Sequence, residues 1–218
     1  MSSARPFALA LFDLDGVLID SRSNMETAWR AVNEECGYGV PFDRYFAHIG
    51  LPFGDILRAL GLRARLDEAE AIYARASIAN FDNIAVYPGI VDALATMRRA
   101  GLPLGVVTSK DARRTALAVG KIGARFDAVQ APAPGLRGKP APDQLLAAAA
   151  VLGVPSRRAI YIGDMPVDEL TARNARMSYA HAAWGYGPPS PSADIRLGSP
   201  AELAASLLGE WSPAGIDA

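Results

Sequence analysis

Leu11-Phe12-Asp13-Leu14-Asp15-Gly16-Val17-Leu18-Ile19-Asp20-Ser21 is the stretch on which the reading of this 218-residue chain turns. The apolar run 7–12 leads straight into two aspartates one residue apart, followed at once by glycine. A short apolar run of this kind predicts a buried parallel strand. Carboxylates at the carboxyl end of such a strand lie where open α/β sheets place their ligand crevices. Acidic side chains rooted there require a cation or a set of donors. Taken alone, Asp13-Leu14-Asp15-Gly16 also fits a strand followed by an ordinary turn.

The rest of the chain alternates strand-like and helix-like segments. Strands are expected near residues 102–108, 128–131, 159–162, 179–183 and 194–197. Helices are expected near 89–100, 111–122, 142–152, 167–175 and 200–208. This alternation predicts an α/β fold with a Rossmann-like parallel sheet covered on both faces. Residues 22–86 break the pattern: helices are expected near 21–37, 44–48, 53–60 and 67–81, with no convincing strand among them. Ser23-Asn24-Met25-Glu26 has the form of a capping box for the first of these helices. About 65 residues is too long for a simple crossover. The expected organisation is therefore a core of residues 1–21 and 87–218 with an inserted all-helical cap of residues 22–86.

Composition limits the possible partners. The 22 basic and 23 acidic residues give a net charge of −1, with no basic stripe for nucleic acid. Cys36 is the single cysteine, which excludes an intrachain disulfide and a thiolate cluster. Its default role is that of a semi-buried structural thiol. The apolar run before Asp13 is too short for a signal peptide or a membrane span. A soluble cytoplasmic protein without a membrane partner is expected; the oligomeric state is left open.

Three further strand ends carry polar groups. The second core strand ends at Thr108-Ser109-Lys110, where a hydroxyl and backbone N–H groups suit a phosphate oxygen, although either hydroxyl also suits a helix cap. Gly138-Lys139-Pro140-Ala141-Pro142 confines a lysine just before a helix, although a solvated loop lysine is the plainer account. Residues 160–168 repeat the opening logic: an apolar strand ends at Asp164, Pro166 suits the first helical turn, and Asp168 follows four residues on. Both carboxylates also suit a helix N-terminus electrostatically. Together these features place carboxylates, a hydroxyl and a lysine at one sheet edge, a set of hard oxygen ligands that suits Mg²⁺ and a phosphorylated substrate.

Asp13-Leu14-Asp15-Gly16-Val17-Leu18, Thr108, Lys139-Pro140-x-Pro142 and Gly163-Asp164-x-x-x-Asp168 occur in the order seen in the haloacid dehalogenase-like hydrolase superfamily. The chain resembles its phosphoglycolate phosphatase-like branch, which carries a helical cap. The resemblance implies a Mg²⁺-dependent phosphatase acting on a small phosphorylated metabolite. It makes Asp13 the nucleophile and Asp15 the general acid and then base. Asp13, Asp164 and the backbone carbonyl of Asp15 become the metal ligands. Thr108, with Ser109, and Lys139 become the phosphoryl-binding groups, and Asp168 becomes the group that orients Lys139 or a metal-bound water. Met165 departs from the serine or threonine frequent in relatives after the motif aspartate. Residues 12–21 and 163–175 also resemble phosphatase-like proteins associated with 3-amino-5-hydroxybenzoate synthesis, which would favour a sugar or polyol phosphate.

Arg22, His48 and Arg58 are polar candidates for substrate contact from the cap. Trp184-Gly185-Tyr186-Gly187 is expected either at the crevice rim or in core packing. Two rival activities are open: a β-phosphoglucomutase-like phosphotransferase, which would share Asp13 and Asp15, and a haloacid dehalogenase, which would not need Asp15. A receiver-like regulator is shorter, lacks a cap and carries its phosphorylated aspartate on a later strand.

Overall fold

The structure is a computed structural model that describes residues 6–209; the remaining residues assigned above to the core, 1–5 and 210–218, lie outside it. In chain order the elements begin with β1 (Leu9–Phe12), β2 (Ile19–Asp20), α1 (Arg22–Cys36), α2 (Phe42–Phe46), α3 (Phe53–Ala59) and α4 (Leu66–Ala79). After these come β3 (Ala85–Val86), α5 (Ile90–Arg99), β4 (Leu104–Val107), α6 (Ala112–Ile122), β5 (Ala128–Gln130) and α7 (Asp143–Val151). The chain then forms β6 (Ala159–Gly163), α8 (Pro166–Ala175), β7 (Ser178–Ala182), β8 (Ile195–Leu197) and α9 (Glu202–Leu208).

Six strands form one sheet in the order β5-β4-β1-β6-β7-β8, and every pairing is parallel. Successive side chains on a strand point to opposite faces, and β1 shows how that period divides the core. Ala10 and Phe12 join Val106, Ile162 and Leu94 on one face; Leu9 and Leu11 join Val107, Tyr161 and Leu145 on the other. Both faces are therefore dry, which explains why the strands read as unbroken apolar runs. β1 lies between β4 and β6, where the chain order reverses, so Asp13 leaves the sheet at its topological switch point.

The helices α1–α4 carry a separate apolar cluster built on Trp29, Val32, Tyr45, Ile56 and Tyr73. Trp29 stacks on Tyr45 with ring centroids 4.4 Å apart and donates its Nε1–H to the Val40 carbonyl at 2.7 Å. Cys36 packs, half-buried, against this cluster. Gly37 ends α1 in the left-handed conformation at φ 71°, the common way to stop a helix.

Two sequence expectations need correction. Ser23-Asn24-Met25-Glu26 is not a cap: α1 already begins at Arg22, and Asn24 is buried within it. The Asn24 amide donates to the carbonyls of Ser77 and Asn80, both at 2.8 Å, and its Oδ1 accepts from Ser77 Oγ at 2.6 Å. These bonds join α1 to α4. In addition, residues 22–86 do contain a strand: β3 pairs antiparallel with β2, so a two-stranded ribbon connects the helical block to the core.

Candidate active site

Asp13 ends β1, and its backbone N–H donates to the Ile162 carbonyl of β6 at 2.8 Å. Lys139 Nζ lies 2.7 Å from Asp13 Oδ1 and 2.7 Å from Asp168 Oδ1, and the lysine side chain is wholly buried. Tyr161 supports Asp168 from beneath the sheet, its hydroxyl 3.3 Å from Asp168 Oδ1. The second oxygen of Asp168 accepts from Met165 N at 3.0 Å across the first turn of α8. Asp168 is therefore fully engaged in holding Lys139 and starting the helix. Met165, the departure noted in the sequence, needs only its backbone for this contact.

Asp164 is held by the loop after β7. Its Oδ2 accepts from Tyr186 N at 2.7 Å, whereas its Oδ1 is buried with no hydrogen-bond partner. A Cβ on Gly187 would collide with the Asp164 carbonyl, and one on Gly185 with the Asp164 side chain. Gly16, at φ +85°, also abuts this carboxylate and combines a left-handed backbone with no room for a side chain. Trp184 Nε1 donates to the Val17 carbonyl at 3.0 Å, and the Tyr186 hydroxyl donates to Asp20 Oδ1 at 2.8 Å. The Trp184–Gly187 loop thus packs against the core and holds Asp164, and none of its residues lines the cleft described below. Gly187→Ala should destabilise the fold by about 1–3 kcal/mol, the usual penalty of overpacking, and this is measurable by urea unfolding.

Asp13, Asp164 and Asp168 each offer an oxygen within 4.8 Å of the others. Burial, reinforced by Asp168 and Asp13, pushes the Asp164 carboxyl well above its ordinary range. Burial also raises Asp13 to about 7, outweighing the opposing pull of Lys139. Burial alone would lower Lys139, but Asp13 and Asp168 reverse the sign and hold it protonated. When all three are ionised, these carboxylates outnumber the one ammonium beside them and leave an excess of negative charge. Together with the orphaned Asp164 oxygen, that excess fits a divalent cation with oxygen ligands.

Asp15 has partners of its own. Its Oδ1 accepts from Ser21 Oγ at 2.5 Å and pairs with Lys110 Nζ at 3.1 Å. Asp111, rather than Thr108 or Ser109, caps α6 by accepting from Arg114 N at 3.0 Å. Thr108 is buried, and its Oγ1 accepts from Lys110 N at 3.2 Å. Ser109 Oγ donates to the Gly50 carbonyl at 2.6 Å, tying the core to the helical block.

Between core and helical block lies a cleft with Asp13, Asp15 and Thr108 on its floor. Arg22, His48 and Arg58 do not line it. Arg22 sits over the Phe46 ring at 4.2 Å beside Asp43, and Arg58 pairs with Asp55. The polar groups on its walls are instead Lys110, Arg114, Tyr45 and Tyr73, none of which was singled out from the sequence. Arg114, four residues after Lys110 at the start of the helix, carried a readable signal; the two tyrosines did not.

The chain matches the haloacid dehalogenase-like hydrolase family over residues 7–176. It belongs to that family. Proteins named tyrosine-protein kinase PtkA, including the one from Mycobacterium tuberculosis, are 34% identical over 82% of this chain, which spans 63% of their length. A phosphoglycolate phosphatase from Chromobacterium violaceum is 30% identical over 88% of this chain and 92% of its own. Among solved structures, a hydrolase from Pseudomonas syringae superposes with a TM-score of 0.81 at 24% identity, covering 90% of this chain and 95% of that one.

Proposed function

We propose that this member is a Mg²⁺-dependent phosphatase for a small phosphorylated metabolite, working through an aspartyl phosphate on Asp13. The observation that carries the reading is the pairing of Asp13 with Lys139 at the switch point, beside the unpartnered Asp164 oxygen. Asp13 attacks phosphorus in line, forming the acyl phosphate while the ester P–O bond breaks. Asp15 gives its proton to the departing oxygen, then takes one from the water that attacks phosphorus. Cleavage of the acyl phosphate releases inorganic phosphate and restores Asp13.

Lys139 and Thr108 hold the phosphoryl oxygens throughout, and Asp168 fixes Lys139 in place. Ser109 contributes from its backbone, since its hydroxyl is committed to Gly50. Asp13, Asp164 and the Asp15 carbonyl would hold Mg²⁺, which when bound supplies charge neutralisation for the phosphoryl group. The helical block of residues 22–86 acts as a cap that keeps water and macromolecules from the cleft. The similarity to proteins named phosphoglycolate phosphatase supports phosphate-ester chemistry.

The test is free-phosphate release across a panel of phosphorylated metabolites with and without Mg²⁺. Metal-dependent release is expected from the wild-type protein, and Asp15→Asn should lower kcat by about 10²–10⁴-fold, the usual contribution of a general acid–base. Isomerised substrate without free phosphate would replace this reading with a phosphotransferase one.

A further inference from the structure

The cleft's two ends differ in chemistry. At the floor, Asp13, paired with the buried Lys139, and Thr108 form the phosphoryl end. Around the space left for the rest of the substrate stand Ile49, Leu51, Phe53, Ile56 and the rings of Tyr45 and Tyr73. Two cations line the cleft. Lys110 is already paired with Asp15. The other is Arg114, on the first turn of α6, which is only 7% exposed.

Arg114 is held between Asp111 and Tyr73. Its Nε donates to Asp111, whose side chain is itself 37% exposed, and its guanidinium lies 5.0 Å from the Tyr73 ring centroid. Among the described residues Asp111 is the one carboxylate paired with it. Asp111 and Tyr73 keep this buried guanidinium charged, and its planar fork, of which Asp111 takes only Nε, is shaped to take two oxygens of a carboxylate or phosphate. The surrounding apolar and aromatic walls exclude water, which strengthens such a contact.

We infer that Arg114 is a specificity-determining residue that binds a second anionic group on the substrate, whose organic part joins that group to a hydrophobic or aromatic body. This inference rests on the cleft being the substrate site of the proposed phosphatase. It names the class of substrate: a compact, apolar phosphomonoester carrying a carboxylate or similar anion, in preference to a neutral polyol phosphate.

Binding of unreactive phosphonates tests it without requiring turnover. Calorimetry in the presence of Mg²⁺ would compare the 3- and 4-carboxybenzylphosphonates with their carboxamide isosteres, and with phosphonoacetate, which keeps the carboxylate but lacks the ring. The wild-type protein should bind the better carboxylate at least tenfold more tightly than its amide, and more tightly than phosphonoacetate. In Arg114→Gln the carboxylate-to-amide ratio should fall to about one, and in Arg114→Lys it should be intermediate. Thermal melting checks that each variant is folded; should the glutamine variant not fold, the lysine variant decides alone. A wild-type ratio near one, or a ratio undiminished in the folded variants, would overturn the inference and leave Arg114 as a clasp between α6 and Tyr73. Phosphonoacetate binding as tightly as the carboxybenzyl compounds would remove the hydrophobic body. Absence of phosphate release from every substrate would defeat the phosphatase reading alone, because these affinities do not depend on chemistry.

Discussion

Asp13→Asn is expected to abolish phosphate release, with kcat falling by a factor on the order of 10⁶, the scale for removing a covalent nucleophile. Asparagine keeps the volume and one acceptor oxygen, so the surrounding packing is not emptied. What disappears is the oxygen that must form the acyl phosphate. Stability separates this loss from unfolding. Burial raises the Asp13 carboxyl to about 7, so the folded state binds its proton more tightly than the unfolded chain does. Stability from that group is therefore fully present below about pH 4 and is lost as pH rises through about 7. At pH 8 the wild-type protein without metal carries the penalty of an ionised, buried Asp13, and the asparagine variant does not. The variant should accordingly melt at the same temperature or higher at pH 8 in chelator, while releasing no phosphate with Mg²⁺. Retained turnover in a folded Asp13→Asn protein would remove Asp13 from the nucleophile role.

Asp13, Asp164 and Asp168 were legible because each follows a local rule. Apolar runs end at the aspartates, and a parallel sheet brings its strand ends to one edge whatever the details of the helices. Lys139, between Gly138 and Pro140, was legible only as part of the ordered set, since nothing local says that its ammonium is buried against two carboxylates. Arg22, His48 and Arg58 show where the reading stopped. They are polar residues of the helical block, but which of its residues reach the cleft depends on how that block seats on the core. The seating is set by long-range contacts such as Ser109 to Gly50 and the packing of Met165 and Tyr186 against the helical cluster. Nothing in the sequence separates Tyr45 and Tyr73 from core aromatics, and Tyr45 does stack on Trp29 as one. The ribbon of β2 and β3 escaped for a simpler reason: two residues per strand are too few to show an alternating period.

Lys139→Met should be the most destabilising single change at the site. The side chain is of similar length and apolar, so the loss is of charge rather than of volume. Its removal leaves Asp13 and Asp168 facing each other in a dry crevice without the ammonium that lies 2.7 Å from both. Breaking a buried pair from one side costs about 3–5 kcal/mol, which for a chain of this size lowers Tm by about 6–20 °C. The pH dependence identifies the cause. Lys139 is held above its ordinary value, so its own stabilising effect is present across pH 5–8 and is lost only at far higher pH. Any change within that window therefore comes from the carboxylates. Without the lysine Asp13 should rise still further, because the one neighbour that lowers it is gone. At pH 5 the variant can take up a proton in the crevice and shed much of its excess charge; at pH 8 it cannot. The difference in Tm between wild type and Lys139→Met, measured in chelator, should thus be larger at pH 8 than at pH 5. A difference independent of pH would assign the loss to packing, and no difference would mean that Lys139 does not hold the two carboxylates together.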